Sequence, residues 1–600
     1  MSAARDELVT FFRSCELGKA PAWVEPPKDW MAGLVEAHGK ELSFDLAGAK
    51  AALERVKNDV PAGPFRNVAE LLALRVAVRE AKADGIADAL ARVGRLLDSL
   101  DEDETPTRAR ALHLRAVADV RIGKLESAED GLTSALEIVD DSPARLWITD
   151  TLAQVLIGQG AWTEAIRTLE ALVEKRRASG DAIGVAISAG HLVRLDIQLG
   201  KHEEAVTLAK RVLDELGPNA ALLTRLRVYT MLTGALVEIG DRARLAAATD
   251  ELAALVRSAE RDKHYLRGYA VMTLARASAL LDRKDDVRKW LDEAGSEFSL
   301  AGHVAQLRYH EARIDPSVAK SKEWVAAVEA LWGSMDLVGE AEIQTRLLLA
   351  REAFGAGDDT TARARLDAAY ARAISSNNPL WMHWVDEAAS ELDPPQLSER
   401  LATRFSGRKK NELGETKRDE VTIIFADLVN FTPRTLELTP EEVMRTVRGL
   451  FELGVPLLTK HLVSPLTYMG DGLLAIAQGE GHAKRGLAFA RELVGRAGRM
   501  TKVRRLLDSG WPIDLRAGVA TGTVVLGSLG TLFKMDFAAI GVTTNLAARL
   551  QGQAQPGEVM AARTTIEQAN LDLPFEQINL KGFEKWSPIE ASRIGVYKAE

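Results

Sequence analysis

The chain has 600 residues, of which 46% are hydrophobic and 27% charged. That balance excludes a largely disordered protein, and the length exceeds what one hydrophobic core supports. Lys and Arg number 77 against 86 Asp and Glu, a net charge of -9 with no long basic block, so no nucleic-acid partner is expected. Cys15 is the only cysteine, which excludes an intrachain disulfide and a multi-cysteine zinc site and fits a reducing compartment. The first residues, MSAARDELVTFFRSCELGK, lack the apolar core of a signal peptide. The longest charge-free stretch, between Arg516 and Lys534, is short and glycine-rich, so no membrane span is expected and the protein is expected to be cytoplasmic.

Residues 1–67 are interrupted by Pro21, Pro26, Pro27, Pro61 and Pro64 and read as an irregular N-terminal cap with a helical segment at Leu46–Val60. Within them, Gly33 and Gly39-Lys40 imitate a phosphate-binding loop, but the spacing is wrong and Glu41 stands where Ser or Thr belongs. From there a unit recurs about every 40 residues. Its turns fall at Gly85, Gly123, Gly160, Gly200, Gly240, Asp282 and Gly357. Five positions after the turn stand Ala128, Ala165, Ala205, Leu245, Val287 and Ala362. The interval from Asp282 to Gly357 is about double, which predicts a degenerate unit around Asp315-Pro316. Apolar residues flank each turn at helical spacing, so each unit is a helical hairpin whose glycine ends the first helix. One hairpin cannot bury its own faces, and neighbours must stack. The pattern resembles the tetratricopeptide repeat and predicts an all-α superhelix over residues 68–403. That resemblance implies a concave surface for a protein partner the sequence does not identify.

A charged segment, RFSGRKKNELGETKRDE, follows the array and reads as a linker over 404–418. The pattern then changes. Val421–Ala426 is a β-branched and aromatic run, a buried strand ending at Asp427. Thr439-Pro440-Glu441-Glu442 carries the signals of a helix start. Leu466–Ile476 reads as a hairpin with Gly470-Asp471-Gly472 at its tip. Two aspartates thus stand at strand ends. Each alone is an ordinary turn former, whereas two brought together hold hard cations. Spacing does not establish that they meet.

The segments VTIIFADLVNFT, YMGDGLLAI, LRAGVATGTVVLGSLG, MDFAAIGVTTNLAARL and LKGF resemble, in order, the catalytic domain of the class III adenylate and guanylate cyclases. The resemblance covers 419–600 and implies a multidomain chain, in which the array precedes an α+β, ferredoxin-like cyclase domain. It implies that Asp427 and Asp471 bind two magnesium or manganese ions per site. Asn545 and Arg549, one helix turn apart, would orient the ribose and stabilise the phosphoryl transition state. The amides around Asn430, Phe431 and Thr432 would cradle the triphosphate, and Lys581 is a further phosphate candidate that reads equally as a surface lysine. The family's sites form between two domains, so a homodimer acting on a nucleoside triphosphate is implied, a phosphorus–oxygen lyase releasing the 3′,5′-cyclic nucleotide and pyrophosphate.

Two positions depart from the family. Thr467 stands where adenine-selecting members carry lysine, and Ala538 where they carry aspartate or threonine. Guanine-selecting members place glutamate and cysteine there. ATP is the expected substrate and GTP the alternative. A second reading stays open: a weak or inactive cyclase-like module that senses nucleotide or dimerises as a scaffold. Met444 and Trp511 are expected in the core.

Overall fold

The computed structural model describes residues 8–12, 29–42, 45–80, 83–139, 143–218, 220–259, 265–298, 301–332, 339–375, 379–393, 417–469, 471–531 and 534–597. Cys15, Pro21, Pro26, Pro27, Gly470 and linker residues 404–416 lie outside them. The chain divides into two compact units, one of residues 1–159 and 164–352, the other of 160–163 and 353–600. Among the described residues no helix is long and apolar enough to cross a membrane.

The first unit is all-helical and repeat-like. Helix pairs such as Thr105–Arg121 with Leu125–Ile138, Ala182–Gln198 with His202–Leu216, and Leu222–Ile239 with Arg242–Ser258 follow one another with short turns. The turns are set by residues that accept a left-handed backbone. Gly240 closes its helix at φ 76, and its N–H reaches Leu236 O. Asp282 does the same work at φ 61, and its carboxylate pairs with Arg242 at 2.6 Å, so an aspartate takes the glycine position. The degenerate unit is present: helix Ala301–Ile314, a turn through Asp315 and helix Lys322–Glu329. Gly85 corrects one expectation. It lies inside helix Ala83–Ser99, not in a turn.

The N-terminal cap is more regular than its prolines suggested, with helices Asp29–Leu42 and Leu46–Val56. Gly33 and Gly39 both sit in the first of these, so there is no phosphate loop. A Cβ on Gly33 would stand 2.2 Å from Val56, which makes it a close-packing glycine. Glu41 is buried against Arg75 at 2.8 Å.

Within the array, Asp150 is 4% exposed at its side chain. It accepts from Ser188 Oγ at 2.7 Å and Gln154 Nε2 at 3.3 Å, and it pairs with His191 Nε2 at 3.3 Å. Helices distant in sequence also meet. Arg194 and Gln198, on Ala182–Gln198, both reach Glu340, at the start of helix Gly339–Gly355, at 3.1 Å.

The second unit contains helices Asp359–Ser375 and Pro379–Leu392 and a sheet domain. In that domain the strands are β1 Lys417–Leu428, β2 Val463–Met469, β3 Gly472–Ala477, β4 Leu515–Thr531, β5 Lys534–Ile540, β6 Glu558–Ala562, β7 Glu576–Ile578 and β8 Ile589–Gly595. The helices are α1 Phe431–Thr435, α2 Pro440–Lys460, α3 His482–Leu507, α4 Val542–Gln553 and α5 Arg563–Gln568. The sheet runs β2-β3-β1-β4-β6-β8-β7, with β5 paired to β4, and among the described residues only the β4–β6 pairing is parallel. Strand alternation sorts β1 between two layers. Thr422 and Ile424 face α3, where a Cβ on Gly486 would meet them. Val421, Ile423 and Phe425 face the other way, into the core that holds Ala547 and Leu550 of α4.

Candidate active site

By the same alternation Asp427 projects on the α4 side of the sheet. It is paired in register with Gly472 on β3 and with Arg516 on β4. Met469 pairs with Gly472, which closes the β2–β3 hairpin and leaves Asp471 in its turn. The Leu428 N–H donates to the Asp471 carbonyl at 3.4 Å. The two carboxylates are therefore close enough for each to feel the other's charge. Burial and the facing Asp471 charge push the Asp427 pKa up to about 6, against a smaller opposing pull from Arg516. Arg516 Nη2 stands 4.0 Å from Asp427 Oδ2.

Two acidic groups brought together can share a proton or hold a cation. The donor set, all carboxylate oxygen, fits a hard cation such as magnesium or manganese. The pair supplies only part of an octahedral shell, and phosphate oxygens and water suit the remainder.

Helix α4 is pressed onto the sheet at one glycine. A Cβ on Gly518 would stand 2.1 Å from the Ala547 carbonyl oxygen and 2.2 Å from the Gln551 nitrogen. That contact carries the Gln551 side chain to Asp427, and its Nε2 donates to Oδ2 at 3.4 Å. Asn545 and Arg549 share the opposite face of α4 and are exposed. At about 100° per residue Arg549 lies about 200° around the helix from Gln551. The structure brings Asp427 and Asp471 together, and it turns Asn545 and Arg549 away from that pair. Exposed Val525 and Ile540, paired across β4 and β5, and Val542 form an apolar patch beside this face.

The loop after β1 is short. Asn430 adopts φ 59 and precedes α1, where Thr432 is exposed and Phe431 half-buried. Thr467, next to a register shift in β2, pairs with Leu474, which pairs with Phe425. It thus shares the sheet face of Asp427 and is exposed. Ala538 is half-buried on β5, opposite Gly527. Lys581 is exposed in a turn between the buried Leu580 and Phe583. Trp511 is buried as expected, at 6% exposure. Met444 is 63% exposed and is no core residue, because it sits in the first turns of α2 on its outward side.

Sequence reasoning passed over Arg516 and Gln551. Arg516 lies inside a recognised segment, but its place beside Asp427 follows from the β1–β4 register. Gln551 lies two residues beyond Arg549, and only the closeness allowed by Gly518 brings it to the carboxylate.

Residues 413–586 match the family described as Adenylate and Guanylate cyclase catalytic domain. An adenylate cyclase of Mycobacterium tuberculosis is 25% identical over 193 residues, 31% of this chain and 42% of that protein. Adenylate cyclase 1 of Rhizobium meliloti is 31% identical over 140 residues, 22% of this chain and 21% of that protein. Guanylate cyclase 2D of Rattus norvegicus is 29% identical over 192 residues, 30% of this chain and 16% of that protein. The chain thus spans less than half the length of these curated relatives. Among solved structures, the guanylyl cyclase Cya2 aligns at 24% identity and a TM-score of 0.28, over 31% of this chain and 95% of that one. Residues 413–586, which take in most of the sheet domain, are thus similar to the adenylate and guanylate cyclase catalytic domain, and the helical array lies outside that match.

Proposed function

We propose that the chain is an active class III nucleotidyl cyclase that converts ATP, and GTP less readily, to the 3′,5′-cyclic nucleotide and pyrophosphate. The observation that carries this reading is the meeting of Asp427 with Asp471 beside Arg516. The carboxylates would hold two magnesium or manganese ions, whose charge would stabilise the entering and leaving oxygens. The ribose 3′-hydroxyl attacks the α-phosphorus and pyrophosphate leaves. Arg549 supplies positive charge where it develops, and Asn545 orients the ribose. The amides from Asn430 to Thr432 and the Arg516 guanidinium face the triphosphate, and Lys581 is a lesser contact.

A homodimer is part of the proposal. Gln551 points α4 at this chain's own Asp427, so the opposite face bearing Asn545 and Arg549 serves the carboxylates of a second copy. The apolar patch of Val525, Ile540 and Val542 supports such burial. Thr467 and Ala538 would flank the base. Without a charged partner there, discrimination between ATP and GTP falls by about ten- to hundredfold, since a lost hydrogen bond costs about 1–3 kcal/mol. The array, on this reading a tetratricopeptide-like superhelix over 68–403 joined through 404–418 to the catalytic domain 419–600, regulates or localises the enzyme through a protein partner.

The test is incubation of the full chain with ATP or GTP and magnesium or manganese, with products read by mass spectrometry. Cyclic product that disappears in Asp471→Ala supports the reading, and product unchanged by that substitution ends it. The neutral pair Thr467 and Ala538 favours one second reading, a nucleotide sensor without turnover. Tight nucleotide binding with no product across both metals would select it.

A further inference from the structure

Segment 429–439 joins the Asp427 strand to α2, yet it has little to hold itself in place. Helix α1 has five residues and none of them is buried. So short a helix is unstable alone, and its position must come from contacts outside it. Those contacts converge on the turn between α3 and β4. The Val429 N–H donates to the Asp514 carbonyl at 2.9 Å. The Phe431 ring stacks on Trp511, with centroids 5.8 Å apart and planes at 25°. The Arg434 guanidinium lies 5.6 Å from the centre of the same indole. Trp511 is itself fixed, because the wholly buried Arg504 of α3 donates to its carbonyl.

We infer that Trp511 is a positioning residue for catalysis: its indole is the wall that sets the loop following Asp427, and through that loop the binding of the nucleotide's triphosphate. The inference rests on the cyclase reading above. Trp511 acts through Phe431 and Arg434. Its contribution is to nucleotide binding more than to turnover. A displaced binding loop weakens the hold on substrate, whereas loss of a core residue lowers the amount of folded enzyme and leaves the KM of the remainder unchanged.

The experiment compares wild type, Trp511→Phe, Trp511→Ala, Phe431→Ala and the Trp511→Ala/Phe431→Ala pair in the full chain. Asp471→Ala serves as the inactive control. Trp511→Ala is expected to raise the KM for the metal–nucleotide by about tenfold or more, with a smaller fall in kcat. Trp511→Phe keeps a stacking ring and is expected to restore KM to within about twofold. Adding Phe431→Ala to Trp511→Ala should raise KM little further, because both remove one contact. A KM unchanged in Trp511→Ala, with kcat either intact or reduced, overturns the inference and leaves the cyclase reading standing so long as Asp471→Ala is inactive. If wild type neither turns over nor binds ATP or GTP with manganese, the cyclase reading and this inference fall together.

Discussion

Asp150 in the helical array and Asp427 in the sheet domain are both carboxylates drawn out of bulk water, and they reach opposite states. Burial raises the pKa of each. Around Asp150 the charges of His191 and Arg176 and the Ser188 hydroxyl outweigh burial and bring it down to about 2. Around Asp427 burial and the charge of another carboxylate outweigh Arg516, and the value rises to about 6. The first is a finished interaction that joins two hairpins. The second is unfinished, and a third of its side chain still faces solvent. Burial alone does not mark a functional carboxylate. The mark is burial beside a like charge with an open side.

The largest expected effect breaks the comparison on the catalytic side. Asp471→Ala should lower cyclic nucleotide formation by on the order of a thousandfold or more, since metal charge stabilisation is worth several kcal/mol. Its thermal unfolding should stay close to that of wild type. On the array side, Asp150→Ala should leave activity chemistry untouched and destabilise the array by about 3 kcal/mol, because it strands His191 and Ser188. Chemical denaturation followed by helical circular dichroism reads this. The wild-type Asp150 contribution is present above pH 3.8 and is lost as pH falls toward 2, because its folded value is depressed.

Gly518→Ala sharpens the structural side of the Asp427 site. The new Cβ meets the α4 backbone, and overpacking of this kind costs about 1–3 kcal/mol. A retained melting temperature and retained activity would refute the close approach of α4 to β4. The smallest effect concerns Asp427 in metal-free protein. Its folded pKa is raised from 3.8 to about 6, so the folded state binds the proton more tightly and stability declines as pH rises through that window. Asp427→Asn should therefore be more stable than wild type at pH 7, by about 1 kcal/mol after solvent screening, with no gain below pH 4. Magnesium or manganese should stabilise wild type and leave Asp427→Asn little changed.

Local chemistry was legible in the sequence wherever a residue acts on its own neighbours. The Thr439 hydroxyl caps α2 by accepting from the Glu442 N–H, and Pro440 takes the first turn. Asp282 takes a left-handed turn, and the β2–β3 hairpin forms at its predicted place. Gly85 was misread because a glycine in the first turn of a helix looks like one just past the end of the previous helix. Met444 was misread because apolar character does not by itself assign a side chain to the inner face of a helix. In the site, the order of motifs pointed to Asp427 and Asp471, but their meeting depends on three-strand register. Arg516, Gln551 and Trp511 come to the site through pairing and packing that no local pattern encodes.

The contact of Arg194 and Gln198 with Glu340 bears on how the array folds. Stacked repeats ordinarily behave as a one-dimensional chain, in which each unit feels only its neighbours and stabilities add. Here a pair 146 residues apart links the first helix of one hairpin to the first helix of another several units on. Arg194 is 59% exposed, so the bond itself contributes about 1 kcal/mol or less. Loss of the segment bearing Glu340 would be felt at Arg194, across units that it never touches in sequence order, so the nearest-neighbour sum leaves out one small long-range term.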